Sequence, residues 1–528
     1  MIKYFLEVEA IMKTTKKTVL VLDCGTQSVR ASIIDSDGNI LKIIKSKYGE
    51  PYFSINPGWC EQYPDYYLDK IFECTKKLRS EEPELMDNVS AMTITCFRDS
   101  AALLDENFNV VRPTILWLDQ RKARLDEKLS FIQKAAFFIV GMSDTIKYNR
   151  QRTAAHWIKE NEPENWKKIK YYVPLTTYFN LKLTGEFKES SSNCTGHYPL
   201  NYRKGKWYGN HALKGSIFGI KKSKLPPLIK PGRVLGFITP EIAEATGIKS
   251  GLPLMASGSD KSCESLGNGC LDLDELSISY GTACTIEVTS KKYHEPETFL
   301  PGYIACYQGA YNLDVQVYRG YWMLTWFAKE FAPEAIDEAA IEHMSVEEIM
   351  NKKLLEIKPG SEGLITQPYW GPGLKRPLAK GSVIGFNDYH TKYHLYRSII
   401  EGIAFELRNG YDSIRKRTKK KPSYVVISGG GAASDAICQI TADIFGVEAR
   451  KVQTTETSSL GAAMSLFIAL GEYKTPREAK EHMIRYVKKY TPIKENVEEY
   501  NKLYKNVYKK IYPRLSKVYR YLSNYTAK

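Results

Sequence analysis

The first apolar run of the chain, TVLVLD, stops at Asp23-Cys24-Gly25-Thr26; a second run, RASIID, follows, and an SDGN turn leads into a third. Short β-branched runs divided by glycine and small polar residues predict strands, so this opening reads as a three-stranded meander. From Pro64 to about Ser130, strand-like AMTITCF and VVRPTILWL alternate with the helix-like YPDYYLDKIFECTKKL, the order of an α/β layer. Residues 141–230 lose this periodicity, gain Tyr, Trp, Asn and Gly, and predict helices and loops that cap a site. At LSISYGTACTIEVTS the strand, Gly-Thr turn and strand return, which points to a duplicated domain. LYRSIIEGIAFELRNGYDSIR then carries apolar residues at helical spacing, and VVISGGGAASDAICQITADIF reads as buried strand, glycine turn and helix. The tail from Pro476, typified by YNKLYKNVYKKIYPRLSKVYRYL, predicts amphipathic helices that pack Tyr and Leu on one face against the outside of the second domain.

A chain of 528 residues exceeds what one hydrophobic core serves, so two sizeable domains with a cleft between them are expected. The expected division is an N-terminal extension 1–16, a first domain 17–255, a second domain 256–475 and a basic helical tail 476–528. Met12 begins MKTTKKTVLVLD and reads as a more natural start than Met1. Hydrophobic (43%) and charged (26%) shares match ordinary globular proteins and exclude disorder and collagen-like or coiled-coil repeats. Neither a membrane-spanning run nor a signal-peptide core is present, so a cytoplasmic protein is expected. Ten cysteines stand singly, with no CxxC pair, and predict reduced thiols and no zinc. The formal charge of +15 is spread among Glu, Asp and Tyr over the whole length, which reads as lysine-rich composition rather than a nucleic-acid or membrane surface.

Three glycine turns carry the candidate chemistry. In Asp23-Cys24-Gly25-Thr26-Gln27-Ser28 a glycine between two strands can present backbone N–H groups to an anion, although the same turn is also sound hairpin chemistry. Asp23, ending a buried strand, either caps the turn or holds magnesium beside phosphates, usually through water. Gly281-Thr282-Ala283-Cys284 repeats the device. Ser428-Gly429-Gly430-Gly431-Ala432 lets a flat ligand such as adenosine approach the backbone; close strand–helix packing is its alternative reading, and it lacks the P-loop lysine and the Rossmann spacing. In LMASGSDKSCESLGNG, Asp260 falls at the expected start of a helix, where capping is the reading favoured by position. Phosphoryl transfer to an alcohol needs such a carboxylate to accept the hydroxyl proton.

Taken in order, VLDCGTQSVRASIID, NPGWCEQYP, ILWLDQR, HWIKENEPENW, LTGE, GSDKSCESLG, SYGTACTIE, YRSIIEGIAFEL, ISGGGAASDAICQITADIFG and SLGAA resemble the FGGY family of carbohydrate kinases from about Thr18 to about Leu470. The resemblance implies two ribonuclease-H-like domains of the actin-like ATPase superfold, an α/β fold that binds magnesium-ATP and closes on its substrate. It implies that Asp23 is the magnesium-associated carboxylate, that Thr26, Gln27 and Arg30 lie near the phosphates with Gly25, and that Gly281 and Thr282 contact the β/γ-phosphate region. Gly430, Gly431 and Asp435 would border the adenosine, and Asp260 would be the general base for phosphorylation of a sugar or polyol. Arg98-Asp99 stands where glycerol-kinase-like members carry an Arg-Glu pair that binds polyol hydroxyls, and Trp59, Trp117 and Tyr148 are candidates for lining the pocket. Asp99 shortens the reach by a methylene and permits a substrate larger than glycerol. Lys261 departs from the neutral residue usual after the base: a cation there binds an acidic substrate group, depresses the pKa of the base or points to solvent. A homodimer is implied by analogy alone.

Two rivals remain at the level of sequence. A non-catalytic actin-like ATPase, acting as a sugar sensor or switch, shares the superfold but has no need of Asp260, Arg98 and Asp99 at their positions. A nucleic-acid binder would explain the +15 charge but lacks a recognition motif.

Overall fold

The computed structural model describes residues 16–297, 300–371, 373 and 376–525. The expected N-terminal extension therefore lies outside the described residues apart from Lys16, which pairs with Asp37. Two compact units emerge, one comprising 1–269, 303–310 and 458–484, the other 270–302, 311–457 and 485–528.

The first unit opens with the meander: β1 (Thr18–Cys24), β2 (Ser28–Asp35) and β3 (Ile40–Lys47), antiparallel and in register from Thr18↔Asp35 to Cys24↔Val29. The helix α1 (Pro64–Glu81) starts on a proline whose missing N–H needs no partner there, and turns Tyr67, Leu68, Ile71, Cys74 and Leu78 inward at helical spacing. After it β4 (Val89–Cys96) lies parallel to β1. The stretch 141–230 is helical at first, with α2 (Ser143–Arg152) and α3 (Leu175–Thr184), and then mostly loop. β5 (Val234–Phe237) and β6 (Pro253–Met255) complete the sheet in the order β5-β6-β4-β1-β2-β3. The short helix α4 (Asp260–Gly267) follows directly.

The second unit repeats the plan. Strands β7 (Glu275–Tyr280), β8 (Cys284–Ser290) and β9 (Tyr311–Val317) form an antiparallel meander around the second Gly-Thr turn. Then come α5 (Trp322–Phe331), the long α6 (Lys392–Thr418), β10 (Tyr424–Ser428) parallel to β7, and α7 (Asp435–Phe445). β11 (Glu448–Val452) pairs in parallel with β10. The chain returns to the first unit for α8 (Thr457–Ala469) and α9 (Pro476–Met483), then adds β12 (Tyr486–Tyr490) antiparallel to β11 in the second. In both units a meander is followed by two parallel neighbours and an antiparallel edge, so the duplication expected from the two Gly-Thr hairpins is present in the topology.

The units do not follow the expected boundaries at 255/256 and 475/476. The segment carrying Asp260 stays with the first unit because Thr93 and Thr95 of β4 donate to Met255 O (2.8 Å) and Gly258 O (3.0 Å). Helix α8 joins it because Gly461 lets the two helices touch; a Cβ there would overlap the Cys263 carbonyl of α4. The tail beyond Arg485 does pack on the second unit, burying Tyr500, Tyr504, Tyr508, Ile511 and Tyr519 on its helices α10 (Lys494–Leu503) and α11 (Lys509–Tyr525) and the turn that joins them. Its tyrosines do more of this than leucine, because each phenol reaches a carboxylate: Tyr500 donates to the buried Glu401 (2.6 Å), Tyr504 to Asp412 (2.9 Å) and Tyr508 to Glu406 (2.9 Å). All ten cysteines are buried, and none is joined in a disulfide. Among the described residues no helix is long and apolar enough to cross a membrane.

Candidate active site

Asp260 stands at the end of the β6 segment as the first residue of α4. Capping does not describe it. Ser259 is the N-cap, without a side-chain bond, and Asp260 accepts a hydrogen bond from the Lys261 N–H (2.8 Å). Its carboxylate is half-buried near the positive end of the helix. Burial pushes its pKa above the ordinary carboxylate value; Lys261 and Arg98 pull the other way, and Glu264 adds to the rise. Lys261 has a definite partner, since its Nζ lies 2.6 Å from Glu264 Oε2, three residues on along the helix. Burial alone would lower its pKa, but Glu264 and Asp260 outweigh burial and raise it, so Lys261 is held as a cation. Of the three roles weighed for this lysine, action on the base is the one its electrostatics support, and Glu264 is a partner that none of the three foresaw.

Arg98, from the loop after β4, has its guanidinium 5.6 Å from the centroid of the Tyr303 ring and acts electrostatically on both Asp260 and Lys261. Asp23 is buried at the end of β1, with Arg30 Nη1 3.4 Å from its Oδ2. Asp23 and Asp260 share a neighbour in Cys96: burial and Cys24 raise that thiol most, and both carboxylates add to the effect. The Gly25 turn closes through Gly25 N–H to Ser28 O (3.0 Å), and a Cβ at Gly25 would sit 3.2 Å from Arg30 Nη1. Thr26 Oγ1 accepts from Trp117 Nε1 (3.2 Å), while Gln27 is exposed. Asp23, Gly25, Thr26, Arg30 and Trp117 therefore form one cluster; Asp260, Lys261 and Arg98 form another, with Cys96 as the link.

Other sequence candidates have different neighbours. Trp59 stacks edge-on with Trp157 (5.1 Å) and beneath Arg121 (3.9 Å), a structural sandwich. Tyr148 on α2 faces Lys122, whose Nζ is 5.7 Å from its ring centre. Asp99 is turned toward His197, accepting from its backbone N–H (2.7 Å) and lying 2.6 Å from its Nδ1.

In the second unit the Gly281-Thr282 turn is anchored by Tyr321 N–H to Gly281 O (3.0 Å), and both residues are half-exposed. The three glycines after β10 differ. Gly429, at φ 77°, would bring a Cβ to 2.7 Å from Tyr280 O, and a Cβ at Gly431 would overlap the Tyr321 ring, which is stacked on Tyr280. These two serve close packing, whereas a Cβ at Gly430 meets nothing nearer than 4.0 Å. Asp435 caps no ligand surface alone: Lys488 and Tyr490 of β12 both donate to its carboxylate, and Lys488 above all holds its pKa below the ordinary value.

The N-terminal domain of the FGGY family of carbohydrate kinases matches residues 18–267, and its C-terminal domain matches residues 276–470. The chain belongs to that family. It is a carbohydrate kinase, an enzyme that transfers phosphate to a hydroxyl of a small sugar-class substrate, with ATP as the donor implied by the family. Over 93% of its length it is 28% identical to an uncharacterized sugar kinase, YgcE, of Escherichia coli K12, of which 92% is covered. It is 26% identical to a gluconokinase of Bacillus subtilis over 92% of this chain and 94% of that one. Among solved structures, a xylulose kinase from Lactobacillus acidophilus superposes with a TM-score of 0.80 at 21% identity, covering 96% of this chain and all of that one. These likenesses establish the two-domain actin-like ATPase fold for this kinase.

Three neighbours of the candidate residues escape a reading of the sequence alone. Glu264 is legible only in hindsight, as the acidic residue one helical turn after Lys261. Tyr303 reaches Arg98 from a segment some 200 residues away, for which no local signal exists. His197 lies in a loop without periodicity, and only its pairing with Asp99 marks it.

Proposed function

We propose that this FGGY kinase phosphorylates a hydroxyl of a sugar or polyol with Asp260 as general base, the hydroxyl oxygen attacking the γ-phosphorus of ATP in line. The observation that carries the reading is the setting of Asp260: a half-buried carboxylate whose pKa is raised by burial against the opposing pull of Lys261 and Arg98, and which accepts the Lys261 N–H. A base of this kind is a better proton acceptor than an ordinary carboxylate. The first unit, on this reading, supplies the substrate side with Arg98 and the phosphate side with Gly25, Thr26 and Arg30. Gly281 and Thr282 of the second unit hold the β/γ-phosphate region through backbone N–H groups, and the open Gly430 admits the adenosine.

Asp23 fits a magnesium site of the sparse kind. It is a single buried carboxylate whose arginine contact is long at 3.4 Å, and among the described residues no cluster of three or more His, Cys, Asp or Glu could hold a metal unaided. Magnesium takes one or two carboxylates plus phosphate oxygens and water, and when bound it neutralises charge on the phosphates. Arg30 would release Asp23 toward that shell and turn to a phosphate oxygen.

The test is ADP release from magnesium-ATP over a panel of polyols, ketoses, aldoses and sugar acids, with Asp260→Asn beside the unaltered protein. Turnover with one substrate class, falling at least 100-fold in the variant, is expected. Equal turnover in the variant removes Asp260 as the base.

A further inference from the structure

Beside the Arg98 cluster runs a loop in which three side-chain atoms, Asn193 Oδ1, Thr195 Oγ1 and His197 Nε2, are buried with no hydrogen-bond partner among the described residues. Buried polar atoms are almost always paired, so three in five residues of one loop call for an explanation. The loop is firmly fixed. Asn193 Nδ2 donates to the buried Glu189 (2.9 Å), Ser190 Oγ donates to Ser257 O (2.5 Å) and Ser192 Oγ to Ile304 O (2.8 Å). A Cβ at Gly258, two residues before Asp260, would overlap Ser192 Oγ. The loop is thus fastened along the strand end that delivers Asp260.

Within it, His197 is held by both oxygens of Asp99. In the neutral imidazole a carboxylate opposite Nδ1 favours the proton on that nitrogen and leaves Nε2 with its lone pair. The arrangement uses two left-handed residues, Asp99 at φ 60° and Gly196 at φ 96°, and a Cβ at Gly196 would lie 2.5 Å from Asp99 Cγ. Backbone of this kind persists where the surroundings enforce it, most often at ligand sites. Asp99 also lines a small polar pocket with Thr176, Asn193 and Tyr198, and its neighbour Arg98 acts on Asp260.

We infer that His197, through Nε2, accepts a hydrogen bond from a hydroxyl of the sugar and helps to set specificity, while Asp99 is a positioning residue that aims the imidazole and does not itself touch the substrate. The inference rests on the reading that places the substrate beside Asp260. It also says what meets that nitrogen: a lone pair at Nε2 accepts from a hydroxyl and repels a carboxylate, so the group met there is an alcohol and not the acid end of an aldonate.

The experiment measures kcat and KM for the best substrate of the panel and for each of its monodeoxy analogues, with the unaltered enzyme, His197→Leu, His197→Gln and Asp99→Asn. His197→Leu is expected to raise KM about tenfold or more while kcat changes little. One deoxy analogue, poor with the unaltered enzyme, should be no poorer with His197→Leu, because both changes remove the same bond. Glutamine, whose amide oxygen can accept, should recover part of the loss, and Asp99→Asn should raise KM for the same substrate and not for that analogue. If His197→Leu does not fold, as read by circular dichroism, the comparison is carried by the glutamine and asparagine variants. Deoxy penalties that persist in full in every variant overturn the inference and leave the kinase reading standing; no turnover by the unaltered enzyme with any substrate overturns both.

Discussion

Replacing Lys261 by methionine separates what the lysine does for the fold from what it does for the base. The Lys261–Glu264 pair is close (2.6 Å) and shielded, with side-chain exposures of 19% and 6%. Removing one partner of a buried pair strands the other charge and costs about 3–5 kcal/mol, whereas removing both is far cheaper. The first unit holds roughly 300 residues, so such a loss lowers its melting temperature by about 6–10 °C at roughly 2 °C per kcal/mol. Lys261→Met/Glu264→Gln should regain most of that. The kinetic effect has its own sign. Asp260 acts as a base only when deprotonated, so the acid limb of kcat/KM follows its pKa. Lys261 lowers that pKa and Glu264 raises it, with the lysine the stronger. Lys261→Met therefore moves the acid limb to higher pH, Glu264→Gln moves it lower, and the double variant remains slightly above the unaltered enzyme. The assay is ADP release against pH at subsaturating substrate, with calorimetric melting in parallel. A double variant that regains stability while all the acid limbs coincide would refute the coupling of Lys261 to the base.

In the glycine turn, Gly431→Ala should lower stability by about 1–3 kcal/mol in chemical denaturation, because its Cβ meets the Tyr321 ring; Gly430→Ala should leave stability unchanged and raise the KM for ATP. On α6, Arg397 is buried against Glu401 (2.8 Å), which also accepts from Tyr500, so Glu401→Gln should cost about 3–5 kcal/mol, read as a lower melting temperature with KM unaffected. Removal of divalent cation by chelation should abolish turnover, and Asp23→Asn should raise the magnesium concentration needed for half-maximal rate; an unchanged requirement would take Asp23 out of the metal shell.

Regular elements with a clear period were legible from sequence. The meander from Thr18, the helix from Pro64, the strand–turn–helix at Tyr424–Phe445 and the amphipathic tail all rest on local patterns, and all are present. So was the position of Asp260, because a helix start after an apolar strand has a local signature; its role as a cap was misread because Ser259 occupies that place. Pairing between distant segments was not legible. The neighbours of Asp435 came into view only when β12 brought Lys488 and Tyr490 to it, and that of Asp99 only when a loop 98 residues away supplied His197. A sequence displays the neighbours of a residue along the chain, whereas hydrogen-bond partners are chosen by the sheet and loops that bring chain-distant groups together.

The discontinuity of the first unit has a consequence for how the enzyme is made. Its sheet is finished once β6 has been synthesised, but α8 and α9, including the Gly461 contact with α4, emerge only after most of the second unit. On a ribosome the Asp260 helix therefore waits uncovered for about 190 residues, roughly 10–40 s at ordinary elongation rates, before its packing partner exists. Asp260 can thus be fully seated only once Gly461 has been made, and a nascent fragment ending before Ser458 would present both Gly-Thr turns while leaving the helix that carries Asp260 without its cover.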